Sequence, residues 1–133
     1  MYPAGRQILL IDSEPRRRQL SERVLSDEGF AVTAVAEGFS AIRAAAVRRF
    51  ALAVVAVELP GTLDGVATLR QLRARQPELR ALFTDDPERR PTGLDADRDD
   101  FIAAPLRRHE LLGCVFELLQ RGPMFGRCRD LAG

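Results

Sequence analysis

Short, almost wholly apolar runs alternate along this chain with longer stretches in which apolar residues recur at helical spacing. Residues 7–11 (Q-I-L-L-I) and 52–57 (L-A-V-V-A-V) lack the polar alternation of a half-exposed strand, which is typical of strands buried on both faces of a sheet. The predicted strands are residues 7–11, 30–35, 52–57, 81–84 and 101–104. The predicted helices begin at Pro15, Gly38, Asp64 and Arg107.

Local signals support the first of these helices. Pro15 fits a first helical turn, Ser13 or Glu14 can accept hydrogen bonds from its free amides, and Gly29 fits its end. Leu20, Val24 and Leu25 are expected on its inward side. The basic run of Arg16, Arg17 and Arg18 is expected in solvent.

Strands that alternate with helices predict a parallel sheet covered on both sides and connected by right-handed crossovers. The number of units favours an α/β, flavodoxin-like three-layer sandwich with strand order 2-1-3-4-5. In such a sheet, ligands bind outside the carboxyl ends of the strands. Residues 12–13, 56–58, 84–85 and 104 therefore form the region expected to carry function.

One segment departs from this rhythm. Residues 85–100 contain Pro87, Pro91 and Gly93 among many Asp and Arg residues, so a regular helix is not expected there. Residues 6–121 are predicted to form one domain, followed by a C-terminal tail at 122–133 without a clear period.

Composition limits the chemistry. The chain has 133 residues, a formal net charge of +1 and 20 basic residues, all of them Arg, so mechanisms that need a Lys do not apply. No apolar run is long enough to span a bilayer and no leader is evident, so we expect a cytoplasmic protein. Cys114 is expected in the core. With only Cys128 and His109 besides it, neither a disulfide framework nor a zinc site is predicted.

Several ordered pieces of sequence resemble one family. They are I-L-L-I-D-S-E-P, A-V-A-E-G-F-S-A-I, F-A-L-A-V-V-A-V-E-L-P-G, D-G-V-A-T-L-R, L-R-A-L-F-T and D-F-I-A-A-P-L-R-R-H-E-L-L, between residues 8 and 112. In order and spacing they resemble the CheY-like receiver domain of bacterial two-component response regulators, over about residues 6–121.

The resemblance implies a phosphorylation site with five parts. An acidic pair after the first strand binds Mg²⁺, an Asp at the end of the third strand accepts the phosphoryl group, and a nearby carbonyl completes the metal site. A Ser or Thr after the fourth strand contacts the phosphate, and a Lys before a Pro on the fifth neutralises it. Oxygen ligands suit a hard cation, and the positive charges offset those of the transferring group.

Mapped onto this chain, most of that set is missing. Asp12 keeps the first acidic position, but Ser13 replaces the second. Ala56 stands at the acceptor position and Ala104 at that of the Lys. The position after the fourth strand falls on Asp85, or on Thr84 if the alignment shifts by one residue. The sequence therefore predicts a degenerate phosphoacceptor pocket made of Asp12, Ser13, Ala56, Glu58, Thr84, Asp85 and Ala104.

Substitute chemistry stays open at this point. Glu58, Ser13 or Asp64 could accept a phosphoryl group instead, and Asp12, Glu58 and Asp85 could bind Mg²⁺ weakly. We expect these carboxylates to be solvated and no cofactor or metal to be required. Replacing a buried ion cluster by apolar side chains is often neutral or stabilising, which favours a domain held in one state.

The functional expectation is a stand-alone pseudo-receiver. It would act in two-component or phosphorelay signalling as a phosphorylation-independent, non-enzymatic protein–protein interaction module. A histidine kinase, an output protein or a second copy of the chain are the expected partners, through a face that includes Arg107, Arg108 and Glu110. Scattered Arg clusters balanced by acids do not favour nucleic acid as a partner. A receiver phosphorylated on a non-standard carboxylate and a small-molecule sensor using the vacated pocket are the alternatives.

Overall fold

The computed structural model describes residues 5–121, and the predicted tail at 122–133, with Cys128, lies outside them. The strands are β1 (Gln7–Ile11), β2 (Ala31–Val35), β3 (Leu52–Ala56), β4 (Arg80–Asp85) and β5 (Asp99–Ala103). The helices are α1 (Pro15–Asp27), α2 (Gly38–Val47), α3 (Gly65–Arg75) and α4 (Arg108–Gln120). All strand pairs are parallel, and the sheet order β2-β1-β3-β4-β5 confirms the predicted fold.

Both faces of the sheet are covered, which explains why β3 has no polar residue and β1 has only Gln7 at its start. Leu9 and Ile11 of β1 pack towards α2 and α3, whereas Ile8 and Leu10 pack towards α1 and α4. Every residue of β3 is buried. A strand enclosed in this way gains from apolar side chains at every position, so its carboxyl end is held rigidly at the edge where ligands would bind.

Helix α1 begins and ends where the local signals predict. The Glu14 carboxylate accepts a hydrogen bond from the amide of Arg17 at 2.8 Å, and Pro15 is the first helical residue. Gly29 follows the helix with φ of +95°, a conformation that glycine adopts without strain. The inward position predicted for Leu20 is wrong, because this side chain is 47% exposed and Val24 with Leu25 fills the interior.

Strands β4 and β5 extend beyond the bounds that their apolar residues predict. β4 extends through Asp85, and β5 begins at Asp99 rather than at Phe101. Apolarity alone misses these residues because their carboxylates are paired instead of solvated. Asp99, for example, accepts a hydrogen bond from Arg73 at 2.6 Å and remains in register with Ala81.

No α-helix lies between β4 and β5, as the Pro and Gly content predicts. The connection contains a single 3₁₀ turn at Pro87–Arg89. Further along, the guanidinium of Arg90 stacks over the ring of Phe101, 5.3 Å from its centroid, which is a favourable cation–π distance. The amide of Asp95 also donates to Asp99 at 2.9 Å. Polar contacts and one stacked side chain therefore hold this connection against the sheet.

Gly65 allows α3 to start directly against the end of β3. A Cβ at this position would lie 2.1 Å from the carbonyl oxygen of Ala56, too close for any side chain. The Gly65 amide donates to the carbonyl of Val57 at 2.8 Å, and Asp64 caps the helix by accepting from the amide of Ala67. The loop between β3 and α3 is consequently fixed beside the carboxyl edge of the sheet.

Two further observations bear on composition. Cys114 is half-buried in α4 rather than fully in the core, and burial raises the pKa of its thiol to about 11. Within residues 5–121, no helix has the length and apolarity needed to cross a membrane.

Candidate functional site

The carboxyl ends of β1, β3 and β4 surround an open cleft of about 520 Å³. Its walls come from the turn before α1, the loop after β3 and the residues that end and follow β4. The lining residues are Ser13, Glu14, Pro15, Arg17, Glu58, Leu59, Pro60, Asp85 and Asp86. Of the seven residues predicted for the pocket, Ser13, Glu58 and Asp85 therefore line the cleft directly.

Asp12 lies behind the cleft and is bound by an arginine. It is only 1% exposed, and its carboxylate accepts hydrogen bonds from Arg17 Nε at 2.6 Å and Arg17 Nη2 at 3.1 Å. The amide of Glu14 donates to the same carboxylate at 3.0 Å. The hydrogen bond to Asp12 raises the pKa of Arg17 more than burial lowers it, and the charges of Asp12 and Asp85 raise it further. The prediction that Arg17 is solvated is wrong, because a buried carboxylate needs a compensating charge.

The predicted acceptor position offers no reactive group. Ala56 is the last residue of β3 and is fully buried, paired in register with Thr84 of β4. Ser13, at the position of the second acid, is exposed in the turn before α1. The end of β3 therefore contributes only a methyl group and its backbone to this edge.

Thr84 and Asp85, the two candidates for the position after the fourth strand, lie in different surroundings. Thr84 is a buried strand residue whose carbonyl accepts from the amide of Val57 at 3.0 Å. Asp85 is the residue that reaches the cleft: its carboxylate accepts from the amides of Glu58 at 2.9 Å and Asp86 at 2.8 Å. A negative group thus lies at the end of β4, and it is held by backbone donors.

A second arginine completes this side of the cleft. Arg89, in the 3₁₀ turn, lies with Nε 3.3 Å from Asp85 Oδ1 and with Nη2 2.9 Å from Glu58 Oε1. Glu58 is 65% exposed at its side chain, so this outer pair is screened by water, whereas Asp85 is nearly buried. Arg89 therefore bridges the loop after β3 and the connection after β4.

Ala104 and the predicted interaction residues lie further along the chain. Ala104 is half-buried after β5, and its amide donates to the carbonyl of Asp85 at 2.7 Å; the Ala104–Pro105 peptide bond is cis. Arg107 and Glu110 are exposed around the start of α4. The guanidinium of Arg108 approaches the Glu28 carboxylate to 3.4 Å, at the end of α1, so Arg108 faces α1. His109 is exposed, as predicted.

Comparison with known proteins assigns this arrangement to a family. Residues 8–116 match the response regulator receiver domain. The chain belongs to this family. Receiver domains act in two-component signalling together with histidine kinases and output proteins.

Relatives of known name support the assignment. The chain is 34% identical over 124 residues to the transcriptional regulatory protein TcrA of Mycobacterium tuberculosis, covering 91% of this chain and 49% of that protein. It is 34% identical over 126 residues to the transcriptional regulatory protein GltR of Pseudomonas aeruginosa, covering 91% and 52%. The chain thus spans about half the length of these curated relatives.

Solved structures agree with the fold. A response regulator receiver protein from Sinorhizobium medicae superposes with a TM-score of 0.78 at 25% identity, covering 89% of this chain and 98% of that one. The receiver domain of sensor histidine kinase PA1611 from Pseudomonas aeruginosa, which has a magnesium ion coordinated in its active site cleft, superposes with a TM-score of 0.72 at 28% identity, covering 87% and 98%.

The residues of this receiver domain do not fit the magnesium ion that the family implies. The remaining acid, Asp12, already has both carboxylate oxygens bonded to Arg17, and Ser13 and Ala56 supply no carboxylate. Among residues 5–121, no group of three or more His, Cys, Asp or Glu side chains could hold a metal ion. The positive charge beside Asp12 is instead the guanidinium of Arg17.

Sequence reasoning missed Arg17 and Arg89, the two cations of the site. A usable signal exists for Arg17: an acid buried at a strand end requires a cationic partner, and without any Lys that partner has to be an Arg. The turn after β1 offers Arg16, Arg17 and Arg18 as choices, and only the geometry of α1 selects among them.

Proposed function

We propose that this receiver domain works without phosphorylation, as a non-enzymatic protein–protein interaction module in two-component signalling. The observation that carries the proposal is Ala56: a buried methyl group ends β3 where the family pattern has its phosphoacceptor carboxylate. A methyl group has no lone pair with which to attack phosphorus. Ala104 in place of the Lys supports the same conclusion.

Internal charge compensation further supports the proposal. In a receiver with several carboxylates at one edge, like charges repel until a cation or proton joins them. Here Arg17 compensates Asp12, and Arg89 compensates Asp85 and Glu58. The domain therefore needs neither a metal ion nor a phosphoryl group to balance its site, which favours a single persistent conformation.

Two of the three candidate substitute acceptors, Glu58 and Asp64, are already engaged in other contacts. The carboxylate of Glu58 is 2.9 Å from Arg89, and that of Asp64 caps α3. Ser13 is exposed, and its hydroxyl has no general base among the hydrogen bonds of the site. Phosphorylation on a non-standard residue would have to break one of these contacts or proceed without activation of the nucleophile.

The contact face is proposed around the start of α4. Arg107 and Glu110 are exposed there and make no ion pair within residues 5–121, whereas Arg108 is shared with the end of α1. We expect Arg107→Glu and Glu110→Arg to weaken association with a signalling partner, or self-association measured by sedimentation. The matched control is Arg16→Glu, a charge reversal at an exposed position of α1. Equal affinity of all three variants would place the contact elsewhere.

The decisive experiment incubates the domain with Mg²⁺ and acetyl phosphate and measures its intact mass. We expect no gain of a phosphoryl group, while the receiver domain of PA1611, which has a magnesium ion coordinated in its active site cleft, serves as the control for the reagents. Ala56→Asp is the matched variant that restores an acceptor. A base-labile phosphoryl adduct on the wild-type chain would refute the proposal.

The open cleft supports a second candidate function, recognition of a small polar molecule. Its volume of about 520 Å³ is in the range of small-ligand sites. Its wall combines apolar Leu59 and Pro60 with polar Ser13 and Asp86. Native mass spectrometry of the purified domain tests this function, since a bound molecule that survives purification would support it and a bare chain would not.

A further inference from the structure

The carboxylate of Asp85 accepts a hydrogen bond from a backbone amide that is distant along the chain, unlike the carboxylates of Asp12 and Asp64. It is 4% exposed, at the last residue of β4. Asp64 and Asp12 accept hydrogen bonds from donors no more than five residues away. Asp85, in contrast, accepts from the amide of Glu58, which lies 27 residues earlier on a different strand connection. Its bonding therefore joins two loops.

The donors around Asp85 form the set that proteins use to bind oxyanions. Two backbone amides, those of Glu58 and Asp86, point at the two carboxylate oxygens from 2.9 and 2.8 Å. The guanidinium of Arg89 lies with Nε 3.3 Å from Oδ1. Converging amides plus a guanidinium bind carboxylate or phosphate oxygens strongly, because each contact is charge-assisted.

Arg89 also closes a ring of contacts. Its second contact, 2.9 Å from Glu58 Oε1, returns to the residue whose amide donates to Asp85. The loop after β3 is thus bonded to the connection after β4 once through its backbone and once through its side chain. The backbone link ends on the Asp85 carboxylate, and the side-chain link runs through Arg89, which also contacts that carboxylate.

We propose that the end of β4 is an oxyanion-binding site whose resident ligand is the chain's own Asp85 carboxylate. This internal ligand fastens the loop of residues 57–64 to the connection after β4 at all times. The inference does not depend on the proposed function, because it concerns the donors of the site and not the fate of a phosphoryl group.

The proposal has a direct consequence for a chain that lacks the carboxylate. Asp85→Ala removes the ligand and leaves its three donors in place, so a small external oxyanion should occupy the site. Glu14, Glu58 and Asp86 also line the cleft, and their charges disfavour an anion with more than one negative charge. Formate, a monoanion of the size that is removed, should therefore bind better than phosphate.

The test titrates sodium formate, with sodium chloride at equal ionic strength as the reference, into wild type, Asp85→Ala and Asp64→Ala. Asp64→Ala is the matched control, because it removes a nearby carboxylate that accepts one local amide. In Asp85→Ala we expect hydrogen exchange of the Glu58 amide to accelerate at least ~10-fold. Saturating formate should restore most of that protection, and neither wild type nor Asp64→Ala should respond.

A second readout covers the case in which Asp85→Ala folds poorly. In Asp85→Asn, the side chain keeps an acceptor oxygen but not the charge, so the amide resonances of Glu58 and Asp86 should shift while the sheet resonances stay in place. Loss of protection in Asp85→Ala without any formate-dependent recovery would overturn the site. Unchanged Glu58 and Asp86 resonances in Asp85→Asn would overturn it as well.

Discussion

The pair between Arg17 and Asp12 gives the most specific energetic prediction. Asp12 is buried, with its side chain 2% exposed, while the side chain of Arg17 is 21% exposed. Removing the arginine as Arg17→Met keeps most of the apolar stem but leaves a buried carboxylate with the Glu14 amide as its remaining donor. Breaking a buried ion pair from one side costs about 3–5 kcal/mol.

Two features of the structure reduce this value. The guanidinium is partly exposed, so water already screens the pair, and the Glu14 amide continues to stabilise the charge at 3.0 Å. We therefore expect Arg17→Met to lower the free energy of unfolding by ~2–3 kcal/mol. Asp12→Ala should cost less, because the freed guanidinium can turn into solvent.

A double-mutant cycle in urea at neutral pH, followed by circular dichroism, isolates the pair. Asp12→Ala combined with Arg17→Met should be at least ~1.5 kcal/mol more stable than the sum of the single changes predicts. The Glu14 amide loses its acceptor both in Asp12→Ala and in the double variant, so the cost of that loss cancels in the cycle. Arg16→Met, a change at an exposed neighbouring position, should stay within ~0.5 kcal/mol of wild type. Additive single changes would refute the view that Arg17 neutralises the site.

Three further predictions concern the rest of the domain. Gln76→Ala should cost ~2–4 kcal/mol in urea denaturation, since this buried amide accepts from one backbone amide and donates to two backbone carbonyls; a loss below ~1 kcal/mol would contradict it. Gly65→Ala should lower the free energy of unfolding by at least ~2 kcal/mol, because the new Cβ would lie 2.1 Å from the carbonyl oxygen of Ala56. The control Gly113→Ala lies in α4 where the space is open, and it should leave the melting temperature unchanged or raise it. With Cys128 changed to Ser, a disulfide reagent at pH 8 should modify Cys114 about 100-fold more slowly in the folded than in the unfolded chain, because the raised pKa of about 11 keeps the thiol protonated. The same pKa shift lowers the free energy of unfolding as the pH rises from 9 towards 11, because in that range the thiol ionises in the unfolded chain and stays protonated in the folded one. Equal labelling rates of Cys114 in the folded and unfolded chains would contradict the raised pKa.

The fold could be predicted because its signals are local. The unbroken apolar run of β3, Pro15 at the start of α1 and Gly29 after it each report a nearby conformation. Alternation of strands and helices then limits the topology to few choices. Strand ends do not follow from local signals where a charged residue continues a strand, as Asp85 and Asp99 do, because the partners of these carboxylates are distant along the chain.

In the candidate site as well, the sequence predicts some residues and not others. Its strand-end positions, among them Asp12 and Ala56, follow from the order of the strands. The cations do not, because an Arg side chain reaches several ångströms and this chain has 20 basic residues. Which of them meets Asp12 or Asp85 depends on the crossing of α1 and on the 3₁₀ turn that presents Arg89. Periodicity carries no information about either.

The buried methyl of Ala56 also bears on how the domain could carry information. Phosphorylation of a switch protein changes its affinity for a partner while its concentration stays the same. Under the proposed function, no phosphoryl bond is formed or hydrolysed at this site. Occupancy of the partner is then set by mass action, through the concentrations of the two proteins and their dissociation constant. Such a component transmits its own abundance, so its synthesis and degradation set how much of the partner is bound.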